Sequence, residues 1–225
     1  MAEPVEPVVD DDDMRAADGR VPGRRGRATR QKLLEQTSEM LRTSSYRDLK
    51  VVDIARGAGT SPATFYQYFA DVEAAILVLA EELALEGGEF AVLVQQGSWK
   101  GKQAYPTALA VADSVLAFWE EHRAVLRVID LATDEGDGRF HQIRVRMLNP
   151  LTNALVEVVE DQRKTSRHPA DLDPMATAGV LVSMLAHVAA HQYGFEFWGI
   201  RTDDLRRSMA RVLYSTVTGQ RPPAE

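Results

Sequence analysis

Apolar residues recur three and four positions apart along most of this chain, which is the period of an α-helix and not the two-residue alternation of a half-buried strand. Leu33, Leu34, Thr37, Met40 and Leu41 mark one face of a first helix, with Thr29 placed to cap its start. Val51, Ile54, Ala55 and Ala58 then repeat at i, i+3, i+4 and i+7, and Gly59 follows where a left-handed residue ends a helix. Ser61 and Pro62 open a third helix. The serine supplies a capping oxygen, and proline's missing N–H costs nothing at the first helical position; Phe65 and Phe69 share one face of the turn that follows. A fourth helix starts at Asp71, carries Glu73 in a first turn whose dipole favours an acid, and runs to Gly87 or beyond.

After a polar loop around Gly97 to Gln103, helical patterns cover residues 106–121, 123–133, 139–167, 174–198 and 202–217. Asn149-Pro150 falls inside the third of these and reads either as a cap with the first position of a new helix or as a kink. No strand pattern and no fixed-period repeat stands out, so the expected fold is all-α. It comprises a three-helix N-terminal helix-turn-helix head and a C-terminal helical body, about nine helices in all. Residues 1–27 hold Pro4, Pro7, the acidic run Asp10 to Asp13, and glycines between arginines. They have little to bury and read as a disordered tail, leaving 28–72 as the head and 73–225 as the body.

Composition sharpens this picture in three ways. At 225 residues and 45% hydrophobic content the chain can fill a real core. It has no cysteine, which removes disulfides and thiolate metal sites and suits a reducing cytoplasm. The N-terminus lacks an apolar signal core, and the longest apolar stretch, Met175 to Ala186, is too short for a bilayer; a cytoplasmic protein without a membrane span is the expectation. The net charge of -7 hides an uneven distribution. Residues 1–19 carry seven acids and one arginine, residues 20–69 ten bases and four acids, and the remainder 15 bases and 22 acids. Phosphate attraction is screened beyond about 10 Å, so a basic head on an acidic body can hold DNA while the body stays off it.

Two short helices joined at Gly59 suit a helix-turn-helix, whose second helix enters a major groove. The stretch Ile54-Ala55, Ala58-Gly59, Ser61, Thr64-Phe65-Tyr66, Tyr68-Phe69 and Glu73 closely resembles the N-terminal head of the tetracycline-repressor (TetR) family of bacterial regulators, over residues 29–80. That resemblance implies a homodimer that binds a palindromic operator and releases it when a small ligand fills the body, with no catalytic role and no cofactor. In this light Ser61, Pro62, Ala63, Thr64, Tyr66, Gln67 and Tyr68 are the candidate groove-facing residues, while Phe65 and Phe69 pack the head. Gln67 suits an adenine edge, Ala63 or Thr64 a thymine methyl, and the hydroxyls of Thr64, Tyr66 and Tyr68 suit phosphates. Lys50 stands where the family usually has a capping threonine. It loses an acceptor worth about 1 kcal/mol and sets a cation near the backbone of DNA. Ala63 replaces a common glycine and Val72 a lysine that often meets phosphate. Arg20, Arg24, Arg25, Arg27 and Arg30 read either as a minor-groove arm or as a solvated tail.

Residues 174–198 are apolar almost all round, so more than one face must be covered. The family pattern places a dimer there, with Leu205, Met209, Val212, Leu213, Thr216 and Val217 as the stripe on the final helix; the alternative is ordinary packing within the chain. Phe118, Trp119, Phe140, Met147, Met184, His187, His191, Phe195 and Trp198 lie on helices that in the family enclose the effector. Bulky side chains with a few polar tips suit a small apolar ligand carrying one or two hydrogen-bonding groups, and the same residues also suit a core. His187 and His191, four apart on one helix face, leave a second functional class open, a helical metal-dependent protein or enzyme. No intervening glutamate, cysteine or third ligand accompanies them.

Overall fold

The structure, a computed structural model, describes residues 23–164 and 168–223. These residues form eleven α-helices and two short 3-10 turns, with no strand among them. The chain divides into two compact units, Met1–Leu79 and Ala80–Glu225, and the division falls inside the fourth helix.

The first unit contains α1 (Arg24–Thr43), α2 (Val51–Gly57), α3 (Pro62–Tyr68) and the first half of α4 (Val72–Glu86). Its core is small and dry: Leu33, Leu34, Leu41, Ile54, Ala55 and Phe65 are almost wholly buried. Thr37 is buried with them because its hydroxyl donates to the Leu33 carbonyl at 2.8 Å, which satisfies the one polar atom it brings inside. The first helix begins at Arg24, five residues ahead of the expected cap. Arginine is a good helix former and carries the segment past Gly26. Thr29 therefore sits within the helix, and its hydroxyl donates back to the Arg25 carbonyl at 3.1 Å. Arg20, the remaining member of the candidate arm, lies outside the described residues.

The second unit holds α5 (Gly88–Gln96), α6 (Ala104–Glu121), α7 (Arg123–Asp134), α8 (Gly138–Arg163), α9 (Pro174–Ala190), α10 (Gln192–Glu196) and α11 (Thr202–Thr218). Within it α6 packs on α11 and α9, and α8 packs on α5, α7 and α9. The count exceeds nine because two expected helices divide. The first divides at Gly87, where α4 gives way to α5. A Cβ on Gly87 would stand 2.7 Å from Met147 Cγ and 2.8 Å from the Met147 carbonyl oxygen, so the junction relies on a missing side chain to lie against α8. The second division falls in 174–198, which ends at Ala190. His191 leaves helical geometry at φ -112°, and its Nδ1 lies 2.9 Å from the His187 carbonyl, a contact that supplies a donor to the helix end when the proton is on Nδ1.

Asn149-Pro150 neither starts a helix nor ends one. The single helix α8 runs through Pro150, giving up only the bond that residue would have donated to Arg146. The end expected at residue 167 lies outside the described residues. Asp173 caps α9 by accepting from the Ala176 amide at 2.6 Å, and Gly219, at φ +65°, closes α11 in the left-handed region.

Candidate nucleic-acid interface

The geometry of the head is set by two consecutive punctuation marks. At the end of α2 the Thr60 amide donates to the Ala55 carbonyl at 2.8 Å and the Gly59 amide to the Arg56 carbonyl at 3.1 Å, with Gly59 at φ +69°. This nested pair satisfies the last carbonyls of α2 and turns the chain sharply. Two residues later Ser61 Oγ accepts from the Thr64 amide at 3.2 Å and lies 3.0 Å from Thr64 Oγ1, while Pro62 fills the first helical position. The turn thus fixes where α3 starts and in which direction it points.

Packing then fixes how α3 is rotated. Phe65 is fully buried and Phe69 nearly so, their rings 5.4 Å apart, and the guanidinium of Arg30 lies 5.3 Å from the Phe69 ring centre. With that face anchored, Ser61, Pro62, Ala63, Tyr66 and Gln67 are exposed, and Thr64 and Tyr68 are half-buried. Tyr66 is 54% accessible although its ring edge packs against Phe65, so the hydroxyl end projects outward from a braced ring. Lys50 occupies the cap position of α2, makes no side-chain capping bond and is exposed; Arg27 is exposed in the opening turns of α1. Arg56 pairs with Asp53 on α2, and Arg47 stacks over Tyr46 at 5.4 Å. These two arginines were not singled out from the sequence, where nothing distinguishes a cation near a turn from any surface cation.

The body distributes the candidate ligand residues differently from their grouping by sequence. Phe118 and Trp119 join Phe90 in an aromatic cluster, with centroids 5.1 Å and 6.4 Å from Phe90. Phe140 and Met147 are buried in the face of α8, and Met184 and Phe195 are half-buried. His187 and His191 are exposed with rings stacked at 4.2 Å, and Trp198 is 76% accessible. Of this set only Trp119 and His191 line one cavity, of about 370 Å³, beside α7. Its other walls include Arg123 and Arg127, a cationic pair four residues apart that the sequence alone does not set apart from other surface cations. Among the described residues no three His, Cys, Asp or Glu side chains gather where a metal ion could sit.

The final helix spends most of its apolar stripe at home. Leu205, Met209, Leu213 and Val217 are buried within the chain, where α11 packs on α6, whereas Val212 is 49% accessible and Thr216 is half-buried. Val180 on α9 is 69% accessible.

Comparison with known proteins bears on both units. Residues 33–74 match the family model for bacterial regulatory proteins of the tetR family, and residues 90–224 match that for the tetracyclin repressor-like C-terminal domain. Among solved structures, a protein of unknown function from Rhodococcus sp. RHA1 superposes with a TM-score of 0.65 at 18% identity, covering 84% of this chain and 95% of its own. A putative TetR-family transcriptional regulator from Mesorhizobium loti gives 0.64 at 17%, covering 88% and 98%. The transcriptional regulator FadR from Bacillus subtilis, in complex with stearoyl-CoA, gives 0.60 at 17%, covering 84% and 98%. No curated protein matches the chain.

Proposed function

The chain belongs to the tetracycline-repressor family of bacterial regulators, and from that premise we propose that it is a dimeric transcriptional repressor, released from a palindromic operator by a small ligand. The carrying observation is the exposed face of α3. Ser61, Pro62, Ala63, Tyr66 and Gln67 stand clear of a head core that buries Phe65 and Phe69 beneath them. A seven-residue helix presenting small side chains at its start and a hydroxyl and an amide one turn later fits a major groove. Gln67 reads a base edge, Ala63 and Thr64 approach thymine methyls, and Tyr66, Tyr68, Lys50 and Arg27 hold phosphates. We assign DNA binding to residues 28–72, and effector binding and dimerisation to 73–225.

Release is a shift between two populations. The ligand favours the conformation whose two heads cannot span both half-sites, and moving that balance about a hundredfold each way takes roughly 5.5 kcal/mol of differential affinity. Helix α4, which belongs in part to each unit, is the element through which the body acts on the head. Among the described residues no helix is long and apolar enough to cross a membrane.

Selection from a random pool of DNA duplexes tests the proposal. It should enrich an inverted repeat with half-sites about one helical turn apart. Gln67→Ala should lower affinity for that repeat by about 1–3 kcal/mol and relax preference at one base pair of each half-site. Lys50→Ala should weaken all duplexes alike and flatten the salt dependence. Enrichment of no sequence would overturn the proposal.

A further inference from the structure

The cavity beside α7 is amphipathic in a directional way. Leu126 and Trp119 give it an apolar floor, and Arg123 and Arg127, one turn apart, stand at the N-terminal end of its α7 wall. The acids near them are engaged. Asp130 accepts from Arg144 at 2.9 Å, and Glu120 accepts from the Tyr193 hydroxyl. Arg123 is steadied with its guanidinium 4.2 Å from the Tyr193 ring centre, a contact that leaves its N–H groups for other acceptors. Among the described residues Arg127 has no carboxylate within ion-pair distance. Asp134, the remaining acid of the wall, is seven residues further along, about 10 Å at the helical rise.

Trp119 completes the apolar side of the cavity. Trp119 is 97% buried, and its indole Nε1 finds no hydrogen-bond partner. That nitrogen is closed to solvent, so Trp119 meets the cavity through its apolar ring atoms, as the floor requires. The volume suits a small molecule rather than a water cluster.

We propose that this cavity is the effector subsite for an apolar-tailed carboxylate, its anion held by Arg127 and Arg123 and its tail laid along Leu126 and Trp119. The inference deepens the regulator assignment by naming the chemical class of the ligand, and it rests on that assignment only for the consequence of binding. Such a carboxylate is an apolar-tailed ligand whose hydrogen-bonding atoms sit at one end, and its charge needs the counter-charge that the two arginines supply.

Calorimetry on the full-length protein tests it with octanoate and benzoate against octanamide and benzamide, which keep the tail and lose the charge. At least one carboxylate should bind saturably and its amide should not. Arg127→Gln, at an exposed position where folding is not at stake, should weaken that carboxylate by roughly tenfold or more, the size of one charge-assisted hydrogen bond. Trp119→Phe, checked for an unchanged helical spectrum, should keep the apolar floor and remove the tryptophan fluorescence change that binding produces. Amides that bind as well as carboxylates, an Arg127→Gln variant that binds like the parent, or no binding by either carboxylate would each overturn the proposal. No DNA enters this experiment, so a failed duplex selection and a failed titration are separate results.

Discussion

His122 Nε2 lies 3.2 Å from a carboxylate oxygen of Glu86, joining the last turn of α4 to the point where α6 passes into α7. The imidazole is braced on its other side by Phe118, with ring centres 4.7 Å apart, so the pair is aimed rather than floppy. Five residues earlier on the same helix Glu81 pairs with Arg146 of α8. The C-terminal half of α4 is therefore latched to the body at two places by polar side chains that remain partly in water.

Such latches contribute modestly and are screened. Glu86→Gln should change unfolding free energy by less than about 1 kcal/mol, and the difference should shrink further in high salt. Urea unfolding at low and high ionic strength measures it. A salt-independent loss of several kcal/mol would mean that the pair is a buried structural element instead.

The junction at Gly87 is a stiffer constraint. A methyl group there meets the Met147 side chain, which has room to swing, but also the Met147 carbonyl at 2.8 Å, which has not. Gly87→Ala should therefore cost about 1–3 kcal/mol, the usual penalty for overpacking, even though alanine favours helix locally. A thermal melt unchanged or raised by the substitution would show that α8 yields at no cost.

Asp137, which caps α8, gives a prediction in pH. Hydrogen bonds from the Arg139 side chain, and then from the Arg139 amide, hold its carboxyl at about 2, below the ordinary 3.8. A depressed acid stabilises the fold above its unfolded value. The Asp137 contribution should be complete above pH 3.8 and disappear as pH falls through about 2. Carbon-detected titration of the side chain should show that low midpoint in the native protein, and Arg139→Ala should move it back towards 3.8. A native midpoint already at the ordinary value would remove the cap from the account.

What could be read from the sequence is what local chemistry decides. Gly59, Ser61 and Pro62 fix the end of α2 and the start of α3 through bonds spanning no more than five residues, and the spacing of Phe65 and Phe69 fixes which side of α3 is buried. The start of α1 was less legible because glycines between arginines look like tail until a helix takes them up. The break at His191 depends on one side chain bonding its own helix end, which an all-round apolar pattern conceals. The α7 cavity was illegible for a different reason. Arg123 and Arg127 become a site only when α6 ends at one side and α9 at the other, and nothing local announces that meeting.

The apolar stripe of α11 poses the same problem between chains, since hydrophobic spacing says that a face is covered and not by what. Leu213 is buried inside the chain, whereas its neighbour Val212 stays half open, as does Val180 on α9, the helix beside it. If these two helices form the dimer face, an unpartnered acid at Val212 would be trapped between subunits at a cost of several kcal/mol, while the fold of each subunit would be spared. Val212→Asp should therefore give a folded monomer by light scattering, and it should lose most operator affinity because one head reads only one half-site. Leu213→Asp should instead lose its helical spectrum, since that charge falls in the subunit core. A Val212→Asp protein that keeps the parent mass would place the contact between copies on another face, and the spacing of the two heads would then have to be set from there.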